Sequence, residues 1–163
     1  MKLNHKVKIN LLEFVKTGKF DYATLGKTKD WMDKNFPEPD FKHRFNKSTT
    51  CWKYGDFEIY FTNDKTSMIS TDRMETLLTG NHIELDKSIF ENQKECTLSN
   101  IQNKFNEIEI NYEVKHIQKL DQVIITVAES NVELGFGFYE EKLKKENYEL
   151  LFIQLTSPAY FQN

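Results

Sequence analysis

Between Cys51 and Phe61 the chain carries its most constraining pattern. Phe57, Ile59 and Phe61 alternate with Asp56, Glu58 and Tyr60. Period-2 alternation places every second side chain on one face, so this stretch reads as a strand with one buried face and one solvated face. Gly55-Asp56 precedes the alternation and predicts a turn back to a strand through Cys51-Trp52-Lys53-Tyr54. Asn63-Asp64-Lys65 predicts the next turn, and Ser67-Met68-Ile69-Ser70 a third strand. A chain that commits this much length to tight turns builds an antiparallel sheet.

Helical spacing frames the strands. Val7, Leu11, Leu12 and Val15 predict a first helix over roughly His5–Lys16, with Gly18 in the position that ends helices. Thr28 reads as the N-cap of a short helix that buries Trp31, Met32 and Phe36 and stops at Pro37 and Pro39. Asp72 to Glu75 has capping-box spacing, predicting a helix through Leu77 and Leu78 that closes at Gly80-Asn81. Thr97-Leu98-Ser99 opens a helix carrying Leu98, Ile101 and Phe105. After it, strands are predicted over Ile108–Ile117, Val123–Ala128, Val132–Phe138 and Leu150–Leu155, with turns at Lys119–Gln122, at Ser130-Asn131 and around Lys144–Asn147. The fold expected is α+β: mainly antiparallel sheet or sheets flanked by about four helices in a single domain over 1–163.

The halves 1–80 and 81–163 run in similar order. Thr28 to Phe36 and Thr97 to Phe105 share an interval. Phe57–Phe61 lies over Val132–Phe136, and Met68–Thr71 over Ile153–Thr156. This suggests two helix-plus-three-strand repeats sharing one core.

Bulk properties narrow the function classes. The 163 residues are 39% hydrophobic and 29% charged with a net charge of −3, an ordinary globular mix. No window approaches the roughly 20 apolar residues of a membrane span. The Met1–Lys6 segment is basic but no apolar region follows, so the expected location is the cytoplasm. Arg44 and Arg73 are the only arginines, and no basic run occurs, which argues against nucleic acid as a direct partner. Cys51 and Cys96 read as buried, reduced thiols. His5, His43, His82 and His116 are scattered without metal-ligand spacing. There is no nucleophile elbow and no phosphate-binding loop. No catalytic residue, cofactor or metal site is therefore expected, and the chain reads as a binding protein.

Candidate contact residues are polar groups at outward strand positions. Asp56, Glu58 and Tyr60 come from the first half. Glu133 and Tyr139, with Glu140 and Glu141, come from the second. Exposed tyrosine is favoured at interfaces, and Tyr160 near the end is another of this type. Gly135 and Gly137 occupy outward positions of their strand; packing by the N-terminal helix is the expectation there, a shallow docking site the alternative.

Leu25-Gly26-Lys27-Thr28, Phe36-Pro37-Glu38-Pro39-Asp40 and the run from Trp52 to Phe61 together resemble small bacterial immunity proteins of polymorphic-toxin and contact-dependent growth inhibition systems. The likeness covers about the first 70 residues, and Phe36 stands where glycine is usual in the family. A similar arrangement occurs in small outer-membrane assembly lipoproteins, a role that the missing signal peptide and lipobox cysteine argue against. The resemblance implies a cognate toxin as partner, with a nuclease-type C-terminal toxin domain, neutralised by non-catalytic blocking. The alternatives are a regulatory or scaffold module, and a metal-dependent hydrolase using Asp56, Glu58 or Glu133. Oligomeric state is left open.

Overall fold

The computed structural model describes residues 6–139 and 141–158. Its first element differs from the sequence expectation. Val7–Asn10 is a strand, β1, and the helix α1 occupies only Leu11–Thr17. Val7 and Ile9 are both buried, a period-2 pattern hidden inside the helical one. Asn10 marks the change: its Oδ1 accepts from the Glu13 amide at 2.9 Å as N-cap. Gly18 ends α1 as expected, at φ +70° with its amide on the Phe14 carbonyl. Thr28 caps α2 (Lys29–Asn35) through the Trp31 amide, burying Met32, with Phe36 buried just after it.

A short edge strand, β2 (Phe41–Arg44), was not legible in the sequence. It pairs with β3 (Thr49–Tyr54), which turns at Gly55-Asp56 into β4 (Phe57–Thr62) and then at Asn63-Asp64 into β5 (Lys65–Thr71). The helix expected over 72–80 does not form. Leu77 adopts φ +46°, the Leu78 backbone bonds to Asp56, and Leu78 is exposed while Leu77 and Met74 are buried. Asp56 outcompetes the helix for that backbone. Strand β6 (Ile83–Asp86) follows and pairs in parallel with β1, outside the main sheet. Thr97 then caps α3 (Leu98–Glu107). The chain finishes with β7 (Tyr112–Ile117), β8 (Gln122–Val127), β9 (Glu133–Gly137) and β10 (Glu149–Thr156). Three α-helices are thus present among the described residues, against about four expected.

One eight-stranded antiparallel sheet runs in the order β2-β3-β4-β5-β10-β9-β8-β7. Each half supplies four consecutive strands, and β5 meets β10 at the centre. All three helices lie against one face. Phe14 of α1 reaches Phe57 through Phe20, Phe36 at the end of α2 packs edge-on to Tyr54, and Phe105 of α3 contacts Tyr112. Their apolar side chains join Ile59, Ile69, Leu134, Ile153 and Leu155 in one core cluster that also takes Val7, Ile9 and Ile83 from the β1–β6 ribbon.

Candidate functional site

The opposite face of the sheet carries the polar half of every alternation. Register places Phe41, Lys53, Glu58, Ser70, Gln154, Glu133, Thr126 and Glu113 in one unbroken row through all eight strands. The neighbouring row holds His43, Cys51, Tyr60, Met68 and Thr156. Most of these residues are half-buried or exposed, and no α-helix among the described residues covers them.

Two of the residues singled out in the sequence, Glu58 and Tyr60, come together on this face, and Glu133 shares it at a distance. The Tyr60 hydroxyl donates to Glu58 Oε2 at 2.6 Å, and Lys53 Nζ lies 2.9 Å from Glu58 Oε1. Burial alone would push the Glu58 carboxyl up; the Tyr60 and Lys53 contacts, with Arg73 nearby, outweigh it and hold the group below its ordinary range. Across the centre, Glu133 accepts from Gln154 Nε2 at 2.8 Å. Glu58 and Glu133 are three strand steps apart in register, roughly 14 Å at about 4.8 Å per step. Each carboxylate is held by its own neighbours, Glu58 by Tyr60 and Lys53 and Glu133 by Gln154.

Asp56 lies apart from that surface. Its Oδ2 accepts from the Leu78 amide at 2.7 Å and the Thr76 hydroxyl at 2.6 Å, clamping the 72–80 segment to the β3–β4 turn. The outward strand position expected for it is corrected to a turn position with a structural partner. Gly55 beside it has φ +61°, and a Cβ there would lie 2.5 Å from the Gly80 nitrogen and the Leu78 carbonyl, so only glycine fits. Tyr139 and Glu141 are exposed beyond the end of β9. Partial burial, then Glu75, Asp72 and Glu149, raise the Tyr139 hydroxyl's pKa, placing an acidic patch at that end of the sheet. Glu140 and Tyr160 lie outside the described residues.

The space at Gly135 and Gly137 is filled from within the sheet, and not by the N-terminal helix. A bulge between Leu150 and Phe152 sends Phe152 across Gly135 and Leu151 beside Gly137. Sequence reasoning missed a second feature, the strip formed by Phe41, His43 and Phe45 on β2 and the residue after it. Phe45 stacks on Tyr60 at 5.8 Å, and His43 lies 4.5 Å from Phe45. Phe41 and Phe45 are 57% and 56% exposed. Its signal was the alternation of Phe41, His43 and Phe45 with Lys42 and Arg44, in a strand that has no buried residue.

Chemistry by thiols is disfavoured by their setting. Burial, with Glu58 nearby, pushes Cys51 up to about 12, and burial pushes Cys96 up to about 11, so both remain protonated at neutral pH. Among the described residues no three of His, Cys, Asp and Glu gather to hold a metal. A recess of about 730 Å³ opens at the far end of the sheet between Gly18, Leu25, Ser130, Glu133 and Thr156. Its Ser130 hydroxyl is committed, donating to the Val15 carbonyl at 2.6 Å and accepting from the Val132 amide at 3.1 Å. Among the described residues no helix is long and apolar enough to cross a membrane.

Comparison with protein-family models, with curated proteins and with solved structures finds no match.

Proposed function

We propose that this chain is a cytoplasmic immunity protein that binds a cognate bacterial toxin, of the nuclease type, and blocks it without catalysis. The observation that carries the reading is the sheet face that no helix among the described residues covers, where Glu58, Tyr60 and Glu133 stand in two adjacent rows among neighbours that already fix them. Lys53 and Tyr60 hold Glu58, and Gln154 holds Glu133. Side chains ordered before binding lose less rotamer freedom on contact, so such a face suits tight recognition. Carboxylates and aromatic rings set side by side match a basic partner surface that also offers apolar contact.

The same reading includes a duplication. The Lys29 amide donates to the Asp64 carbonyl and the Leu98 amide to that of Tyr148; the Thr66 amide donates to Lys27 and the Leu150 amide to Cys96. Thr28 bridges to Lys65 as Thr97 does to Glu149. These pairs equate Ile69 with Ile153 and Ser70 with Gln154. The β5–β10 register, Ile69 opposite Leu155 and Thr71 opposite Ile153, is then symmetric about Ser70 and Gln154. The alignment of Met68 with Ile153 read from sequence is one residue off, because those two side chains face opposite sides. Glu58 and Glu133, which the alignment of Phe57–Phe61 over Val132–Phe136 already pairs, are equivalent positions of two halves sharing one core.

The test is co-production with the toxin domain encoded immediately upstream. The expected result is restored growth and a stable complex in which toxin activity is lost. Unrelieved growth arrest with both proteins present contradicts the proposal.

A further inference from the structure

We infer that the β2 edge is a self-association surface, at which a second copy of this chain pairs antiparallel to extend the sheet across a twofold axis at His43. The inference goes beyond the immunity reading and stands on different observations. Among the described residues strand β2 has no outer neighbour in the sheet, and all four of its residues are exposed. The Phe45 amide bonds to the Thr49 carbonyl at 3.0 Å, continuing the β2–β3 register by one pair. Bonded and unbonded pairs alternate in an antiparallel ladder, so Phe41, His43 and Phe45 direct their backbone groups to β3. Lys42 and Arg44 therefore direct theirs outward, open to a second strand.

One register satisfies both backbone and side chains. Pairing Lys42 with Arg44 of the second copy, and the reverse, uses the outward amides and carbonyls of both strands. His43 then meets its own counterpart, and Phe41 meets Phe45 twice, in the closely spaced unbonded positions where cross-strand aromatic contact is strongest. Lys42 against Arg44 looks repulsive, but Lys42 lies 3.2 Å from Asp33 and 3.1 Å from Glu38. These carboxylates offset the Lys42 ammonium, and the Arg44 guanidinium donates to the Asn46 and Lys47 carbonyls at 2.9 and 3.1 Å, so the register brings no bare pair of like charges together.

Sedimentation velocity on the full chain tests this, at concentrations up to about 100 μM. The expected result is a monomer–dimer equilibrium that Phe41→Asp with Phe45→Asp converts to monomer, with an unchanged circular dichroism spectrum. A second measurement does not depend on those variants folding. His43→Cys in a Cys51→Ala background, which removes the thiol directly opposite in β3, forms a disulfide-linked dimer on mild oxidation. Unbonded antiparallel pairs hold Cα atoms about 4.5 Å apart, within disulfide range, whereas Lys42→Cys in the same background does not cross-link. A monomer throughout the concentration range, a dimer indifferent to the aspartates, or the absence of the position-43 cross-link overturns the inference.

Discussion

Gly135 and Phe152 together set the relief of the uncovered face. An added Cβ at Gly135 would overlap the Phe152 ring, so Gly135→Ala is expected to destabilise by about 1–3 kcal/mol, as overpacking does. Adding Phe152→Leu should return part of that loss, because the flat ring is the obstacle; a urea-denaturation double-mutant cycle checks the coupling. Glu58 makes a different prediction. Its carboxyl lies below the ordinary glutamate value of 4.5, because contacts from Tyr60 and Lys53 outweigh burial. A depressed carboxylate contributes stability that is complete above its unfolded value and is lost as pH falls through its folded value. Between about pH 5 and pH 3 the native chain should therefore lose more stability than Glu58→Gln does, read from urea midpoints. Equal slopes would mean that the Lys53–Glu58–Tyr60 contacts do not persist in solution.

At the scale of elements, the 72–80 segment owes its irregular path to one carboxylate. Asp56→Ala removes acceptors for the Leu78 amide and the Thr76 hydroxyl, and about 1–3 kcal/mol of stability should go with them. Hydrogen exchange should speed up at Leu78 without a matching change in β8 or β9. This segment also marks where sequence reading stopped. Asp72 to Glu75 satisfies the local capping rule, but the hydrogen bonds that decide the outcome come from Asp56, far along the chain. Strand β1 failed for a related reason, since Val7, Leu11 and Val15 fit a helix and only Asn10 signals that the helix starts late. Elements whose own residues carry the signal were legible: the hairpins at Gly55-Asp56 and Asn63-Asp64, the Thr28 and Thr97 caps, and the Gly18 stop. Among the candidate contacts, Glu58, Tyr60 and Glu133 were legible because period-2 alternation alone assigns them a face. The β2 strip was not, since an edge strand with every residue exposed has no buried side to betray its period.

For the whole molecule, the arrangement of helices decides where a partner can bind. Among the described residues, three helices and the β1–β6 ribbon bury one face of the eight-stranded sheet and leave the other as a broad platform formed by both halves. Calorimetric titration of the full chain against the purified upstream-encoded toxin domain tests that assignment most directly. Tyr60→Ala and Glu133→Ala should each weaken binding by about 1–4 kcal/mol. Both should retain the native free energy of unfolding to within about 1 kcal/mol. Ile108, exposed after α3 on the helix side, should be indifferent to alanine. Undiminished affinity in Tyr60→Ala and Glu133→Ala, with weakened binding in Ile108→Ala, would place the partner on the other side of the sheet and contradict the account.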